Sequence, residues 1–599
     1  MKKKYSYYFP LFLIVFYSIS GIFQLTIPIN LNNGSVLNNN LNLISSAWSN
    51  VTIISDNLSL WNDDYSQYPE IAVDDIGNVH IVWEERTDGW WGSGSDSEIF
   101  YSYYRPGIGW SDPDCISDDY NNWSTNYNTL PSIAVHDGVV YVVYMELTDG
   151  EWGIDSEVMC VNYTVANGWS NITVVSDDEN LWNDMASEAP RIAIDSNGVL
   201  HVVWYDGTNG WWGSDPEIMY ANYSAAQGWS NATVISDNTG WNNGSSYEPD
   251  IAIGTDDSVH VVWQDFTDGD WGEDQEIMYT KYTPLTGMWS NATVISDNTG
   301  WNDGNSEDAR IEIDKNNNIH VIWRDNTDGG YWNSDIEIMY TMYNGTSWTN
   351  ATVISDISGW NTGSDSYPDI AIAPNGTVYA VFETDQIGPW GSDYEIVYTY
   401  KNSSGSWANL SAVSDDDTLW NNGSSELPQC SFDHLGNFFV VWQDTTPGWW
   451  GSGAPDREIM FSVNKAPIIP PKSNSPIDKI LEQNSQGTIE WTLTDDIGPG
   501  YYRVLINNTP GSWTQWTNNS NINYSIDTSV VGTFNYTIQF NDSAGNWGNP
   551  DTVIVIINPR TTTTQPIPSF LVIFVITGLI MIPIIRKKKP RLDNNLFIS

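Results

Sequence analysis

Arg191-Ile-Ala-Ile-Asp195-Ser-Asn-Gly-Val-Leu-His201-Val-Val-Trp204, then Trp212-Gly-Ser-Asp215-Pro-Glu217-Ile, Gly228-Trp229 and Val234-Ile-Ser236, form one copy of a block of about sixty residues. This copy opens on Trp182 and the next on Trp241. The opening tryptophans Trp61, Trp123, Trp182, Trp241, Trp301, Trp360 and Trp420 stand 62, 59, 59, 60, 59 and 60 residues apart, so the block is read seven times. A period of this length marks a repeat architecture, in which each unit buries its apolar face against its neighbours.

Each copy offers four short strand signals. In the first, strand a is Glu70-Ile-Ala-Val-Asp74, and the turn Asp75-Ile-Gly-Asn78 leads to strand b, Val79-His-Ile-Val-Trp83. Strand c begins at Glu98-Ile and runs through Tyr101 and Tyr103, and strand d is the Val-Ile-Ser segment after a Gly-Trp-Ser turn. Four short strands divided by Gly, Asn and Asp read as a propeller blade. Strands a, b and c occur seven times, but only six d strands follow a c strand, because the last copy stops after Glu458-Ile-Met-Phe461-Ser-Val463. The missing strand stands ahead of the first copy, at Trp48-Ser-Asn50-Val-Thr-Ile-Ile-Ser55. An N-terminal strand completing the last blade closes the ring and leaves no open edge at the joint. The expected fold is therefore all-β, a seven-bladed β-propeller over residues 47–464, with Val51–Ser55 beside Glu458–Val463.

Pro467, Pro470, Pro471 and Pro476 mark residues 465–487 as a linker. Alternating strands return over 488–558, in Gly487-Thr-Ile-Glu-Trp-Thr-Leu, Phe534-Asn-Tyr-Thr-Ile-Gln-Phe540 and Val553-Ile-Val-Ile, with a turn at Asp542-Ser-Ala-Gly-Asn546. This stretch resembles the immunoglobulin-like β-sandwich of archaeal and bacterial surface proteins. Residues 559–568 read as a stalk, and 569–585 form an apolar, uncharged run long enough for one transmembrane helix. Arg586-Lys-Lys-Lys589 then places the tail, 586–599, in the cytoplasm. At the other end, Lys2-Lys3-Lys4 ahead of the apolar run Phe9 to Leu25 read as a signal peptide or signal anchor over 1–25, and 26–46 as a spacer. The expected location is the cell membrane, crossed once, with a large extracellular part. Asn-x-Ser/Thr sequons at Asn50, Asn171, Asn231, Asn291, Asn350 and Asn409 agree with a glycoprotein facing outward.

The formal charge of −53, from 22 Lys plus Arg against 75 Asp plus Glu, excludes nucleic acid as a partner, since phosphates need basic groups. It suits a solvated exterior, a cation-binding surface or a glycan-rich setting. With 33 Trp and 32 Tyr the chain is not a disordered acidic polymer. Cys115, Cys160 and Cys430 are too few for a disulfide framework. They read as buried free thiols, where sister copies carry Val or Ile, Tyr, and Ala or Glu respectively.

The segment Gly-Asn-x-His-Val-Val-Trp-x-Asp, followed by Glu-Ile-Met-Tyr and the Gly-Trp-Ser turn, resembles the sialidase-type propellers with BNR repeats over residues 48 to 464. That family carries an Asp-box, Ser-x-Asp-x-Gly-x-Thr-Trp, at the turn between strands c and d. Trp110, Trp169, Trp229, Trp289, Trp348 and Trp407 hold the matching tryptophan, while the box's Ser and Asp are absent. The resemblance implies the fold more strongly than an activity. As a sialidase the chain would need three arginines on a substrate carboxylate, and Arg191, Arg310 and Arg324 are those that strand direction brings to the loop-rich face. No Tyr-Glu nucleophile pair stands out in the sequence.

Strand direction alternates within a blade, so the long d-to-a and b-to-c loops share one face, a natural ligand surface. The tightest recurring pattern lies there, a Trp followed by Asp-x-Glu at the start of strand c. Its tryptophans are Trp91, Trp152, Trp212, Trp271, Trp332, Trp390 and Trp450, the candidate ligand-stacking rings. Its aspartates are Asp96, Asp155, Asp215, Asp274, Asp335, Asp393 and Asp456, and its glutamates Glu98, Glu157, Glu217, Glu276, Glu337, Glu395 and Glu458. Two readings stand open. Carboxylate oxygens suit calcium and aromatic rings suit sugars; alternatively Asp caps the loop's backbone donors, Glu accepts a neighbouring N–H, and Trp wedges between blades. Repetition in all seven copies favours the second. His80, His201, His260 and His320 share one column of strand b with Tyr141, Tyr379 and Phe438, which makes packing, not metal binding, their role.

No Ser-His-Asp order, zinc-ligand spacing or phosphate-binding glycine loop stands out. The reading is a membrane-anchored binding protein for surface glycans or another extracellular protein. The alternatives are a sialidase-like glycoside hydrolase and a structural surface-coat glycoprotein.

Overall fold

The computed structural model describes residues 48–561 except 56–64, 87–96, 118–126, 148–154, 178–182, 184, 211, 238–241, 268, 270–273, 298–301, 303, 328–334, 357–362, 386–392, 402–404, 415–420, 422, 447–456, 466–470, 496–498 and 543–546. The seven opening tryptophans, both apolar terminal runs, the spacer and the tail lie outside the described residues.

Among the described residues the chain is all-β. In the third copy strand a is Ser187–Ile194, strand b Leu200–Asp206 and strand c Glu217–Ser224, while strand d is two short pieces, Gly228–Trp229 and Thr233–Val234. They pair antiparallel in the order a-b-c-d. Seven such sheets occur among the described residues, and the architecture is a β-propeller. Strand b is apolar on both faces, Val202, Val203 and Trp204 all being fully buried, because a sheet covers each of its faces. The inner strands a touch in sequence from Ser66–Val73 to Ser425–Phe432, and the last also touches the first.

A tryptophan of each outer strand reaches back to the preceding sheet. Trp169 stands edge-on to Tyr101 with centroids 5.0 Å apart, and Trp289 to Tyr220, Trp348 to Tyr279 and Trp407 to Tyr340 repeat the contact. Trp110 of the first copy does the same to Phe461 of the seventh. The strand that completes the seventh sheet is Thr52–Ile53, paired with Phe461 and Met460. Trp48 there meets Tyr398, as the other outer-strand tryptophans meet their neighbours. The joint has its own core, in which Val79, Ile81 and Trp83 pack on Phe439, Val441 and Phe461.

Several sequence expectations shift by register. Strand a begins four residues earlier than Glu70, at Ser66, because a bulge between Gln67 and Glu70 lets the ladder continue past Pro69. The histidine column continues into Phe439, not Phe438: Phe439 pairs with Ser431 as His201 pairs with Ala193. By the same register Cys430 replaces an isoleucine (Ile192 in the third copy), not Ala or Glu. Cys160 and Cys430 are buried, whereas Cys115 is only half-buried on the outermost strand.

After the last blade, two further sheets enclose a core of Ile489, Trp491, Leu493, Tyr536, Ile538 and Phe540. One holds Thr488–Thr494 and Asn521–Ser525; the other holds Pro499–Ile506, Gly532–Asp542 and Asp551–Asn558. The stretch read as linker contributes to both, through Lys472–Ser473 and Lys479–Glu482, the latter parallel to Asp551–Asn558.

Candidate functional site

The Asp-x-Glu pattern resolves into clasps between blades. Glu217 is buried, and its Oε2 accepts the Ser236 hydroxyl at 2.5 Å and the Asn242 amide at 3.3 Å. Asn242 belongs to the next blade, where its amide also reaches Asp265 at 3.0 Å. Asp265 in turn accepts the indole N–H of the buried Trp263 at 2.9 Å and the backbone N–H of Thr267 at 2.8 Å. The set recurs as Glu157 with Ser176, Asn183 and Asp206, and as Glu276 with Ser296, Asn302 and Asp325. At the joint Ser55 donates to Glu458. The expected backbone N–H is instead taken by the serine, since Ile218 donates to Ser236 Oγ. Burial, then the charges of nearby aspartates, push the Glu217 and Glu337 carboxyls up to about 9, and those of Glu157 and Glu276 up to about 8, although a serine hydroxyl opposes each.

Of the seven tryptophans of this pattern only Trp212 is described; Trp91, Trp152, Trp271, Trp332, Trp390 and Trp450 lie outside, as do Asp96 and Asp456. Trp212 donates to the Thr208 carbonyl and packs on the core between the second and third sheets. Asp215 accepts the Ser214 backbone N–H, as a loop cap does. Among the described residues, which include Asp155, Asp274, Asp335 and Asp393, no cluster of three or more His, Cys, Asp or Glu is arranged to hold a metal ion. The histidines brace the blades: His201 Nδ1 lies 2.8 Å from the Tyr220 hydroxyl while Nε2 faces Asp195. Burial, and after it the Lys281 charge, pushes His260 down to about 3.

The three arginines lie on inner strand a and the end of strand b, and each is engaged. One register position of strand a carries Glu70, Ser132, Arg191, Asp250, Arg310, Asp369 and Gln429 round the axis. Arg191 pairs with Glu70 of the first blade, two blades away. Burial opposes its charge, but Glu70, Asp250 and Glu248 outweigh that and hold it above its ordinary value. Arg310 bonds the Ala309 carbonyl and faces Asp369 and Glu248. Arg324 makes ion pairs with Glu307 at 2.6 Å and Asp308 at 2.9 Å. Arg191 and Arg324 are thus each paired with carboxylates, whereas Arg310 makes a backbone carbonyl bond and no ion pair among the described residues.

Above this layer lies a mouth that the sequence reading missed. It is built by the residue after the large aromatic near the end of strand b, and by the bulge residues of strand a. Glu84 accepts from Gln67, Arg86 and Thr129. Glu383 accepts the Leu427 backbone N–H, and Gln443 that of Tyr68. Tyr68 and Tyr367 are 38% and 40% exposed, and Tyr127, Phe266 and Tyr394 are exposed at strand ends of the same face. The available signal was variation. Where the scaffold residues repeat, the mouth positions differ from copy to copy: Glu84, Met145, Tyr205, Gln264, Arg324, Glu383 and Gln443.

A Tyr-Glu pair, not evident in the sequence, is present at this mouth, where Tyr205 donates to Glu188. Burial, and then this hydrogen bond, push the phenol further above its ordinary range, the opposite of what an activated nucleophile needs.

No protein-family model and no curated protein matches this chain. Solved structures similar to it include the GH93 α-L-arabinofuranosidase of Fusarium graminearum with arabinobiose, with a TM-score of 0.38, 12% identity, and coverage of 56% of this chain and 93% of that one. The NanB sialidase of Streptococcus pneumoniae gives 0.36 and 12%, covering 69% and 71%. An α-L-arabinanase of Penicillium chrysogenum gives 0.37 and 11%, covering 69% and 97%. These likenesses are of shape, and no activity is carried across from them.

Proposed function

We propose that this chain is a cell-surface binding protein. Residues 569–585 anchor it in the membrane, an immunoglobulin-like sandwich serves as spacer, and a closed seven-bladed propeller presents its mouth to a glycan. The observation that carries this reading is the division of labour at the axis. Arg86, Arg191, Arg324 and Arg457 are each held by a carboxylate. Tyr68 and Tyr367 are 38% and 40% exposed near Glu84 and Glu383, Tyr367 with the Arg324 guanidinium 5.7 Å over one face of its ring. Aromatic faces with hydrogen-bond acceptors suit a polyhydroxylated ligand, whose hydroxyls donate and whose C–H faces stack. The test is a glycan array probed with the full-length protein in detergent, beside a Tyr68→Ala/Tyr367→Ala variant. Signal from the native protein that falls by roughly tenfold or more in the variant supports the reading; a blank array removes it.

The second reading is a sialidase-like glycoside hydrolase, in which Tyr205 and Glu188, hydrogen-bonded at the mouth, would serve as the Tyr-Glu pair once bound substrate reverses the upward shift of the phenol. Turnover of a fluorogenic sialoside panel, lost in Tyr205→Phe, would establish it in place of the first.

A further inference from the structure

The second pair of sheets carries a cleft of about 390 Å³ lined by Tyr501, Trp513, Asn541 and Trp547. Large aromatics of this part of the chain are otherwise core residues: Trp491, Trp516, Tyr536 and Phe540 are buried. Tyr501, Trp513 and Trp547 are instead 54%, 43% and 54% exposed. Three large rings left in water around one hollow forgo the burial that their neighbours obtain, which marks a binding surface.

The rings are held in place. Trp513 and Trp547 have centroids 5.4 Å apart and planes inclined at 60°, so the two rings pack against each other and present one bent apolar surface. Trp547 bridges to Asn541, and the next residue, Gly548, donates to the Phe540 carbonyl. A Cβ at Gly548 would stand 2.1 Å from the Phe540 ring, so only glycine lets the chain lie this close with the Trp547 ring outside. Beneath the floor Trp516 donates its indole N–H to the Asn541 carbonyl at 2.8 Å. Arg503 lies over Trp513 at 4.5 Å, fixed through Nε by Gln539 at 2.9 Å. The Asn541 side-chain oxygen accepts the Tyr501 backbone N–H at 2.8 Å, which aims its amide donors elsewhere.

The geometry points to a second carbohydrate site, independent of the propeller mouth, that takes the pyranose ring of a neutral glycan. An apolar surface with donors at the rim fits a ring whose faces are C–H and whose edge is hydroxyl. A wholly apolar ligand would cover the Asn541 amide donors and the Arg503 guanidinium nitrogens other than Nε without pairing them. A polyanion is repelled by a chain of net charge −53.

The experiment is depletion of the full-length protein, in detergent, by insoluble cellulose, curdlan, chitin and α-mannan, with alginate beads as the acidic arm. The expected result is depletion by at least one neutral polysaccharide. Trp513→Ala/Trp547→Ala should weaken it roughly tenfold or more while leaving the melting temperature and circular dichroism unchanged. Tyr68→Ala/Tyr367→Ala, which alters the propeller mouth, should leave it intact. No depletion by any neutral polysaccharide, equal depletion of the tryptophan variant, or preference for alginate would each overturn the assignment.

Discussion

Glu217 and its counterparts Glu157, Glu276 and Glu337 give the protein a pH dependence whose sign can be worked out. Their carboxyls stand at about 8 to 9 when folded, against 4.5 as the ordinary value. Between those limits the folded chain keeps protons that the unfolded chain releases, so stability falls as pH rises. The buried histidines act oppositely, but only below 6.5, where the unfolded chain takes up protons that His80, His201, His260 and His320 refuse. Above 6.5 the glutamates act without that opposition, and the melting temperature should fall from pH 6.5 to 9. Glu217→Gln with Glu337→Gln should flatten the fall, because an amide still accepts from Ser236 and Ser355 but cannot ionise. Glu217→Ala should instead cost about 1–3 kcal/mol near pH 6.5 by stranding the Ser236 hydroxyl and the Asn242 amide, a difference that narrows as pH rises. Thermal melts across the range decide it, and an unchanged slope in the double glutamine variant refutes the account. The recurrence of these glutamates was legible in the sequence. Their partners were not, since Ser236 and Asn242 stand 19 and 25 residues further on, the latter in the next blade.

Strand a shows why elements were less legible than repeats. Each copy bends at one left-handed residue, Tyr68, Leu130, Ala189, Glu248, Asp308, Tyr367 or Leu427, with φ between 47° and 53°. None is glycine, and each such residue costs on the order of 1–2 kcal/mol. The residue after it is proline in six copies and Ala309 in the fifth. Proline ordinarily ends a strand, which is why the sequence placed the start at Glu70. A bulge tolerates it because the extra residue is left out of the ladder. The bulge also turns Tyr68 and Tyr367 toward the mouth, so the feature that hid the strand's start builds the candidate site. Ala309 is buried and its register shift matches the other six, so Ala309→Pro should fit. By restricting the unfolded chain it should stabilise by about 0.4–1 kcal/mol. A chemical-denaturation midpoint that falls instead would show that the fifth bulge follows a different path.

At the scale of the whole molecule, the missing seventh outer strand was legible by counting, because six d strands for seven c strands leave one edge unpaired. The details of its docking were not, since they depend on contacts between residues more than four hundred apart. Ser49 donates its backbone N–H to the Val463 carbonyl, and its hydroxyl lies 3.4 Å from that of Ser462 across a separation of 413 residues. Two oxygens this close stand where a disulfide's sulfurs can meet. Ser49→Cys with Ser462→Cys, in a chain whose half-buried Cys115 is replaced by the valine of its sister copies, should oxidise spontaneously. The native Cys160 and Cys430 should not compete, because burial pushes the Cys160 thiol up to about 12 and raises that of Cys430 as well. A bond closing so long a loop removes much of the unfolded chain's freedom and belongs at the upper end of the usual range, about 2–4 kcal/mol. The gain should appear as a higher melting temperature in the oxidised form that reductant reverses. If the two cysteines stay reduced under air while reacting freely with a thiol reagent, the first and last strands do not lie side by side, and the ring is open at that joint.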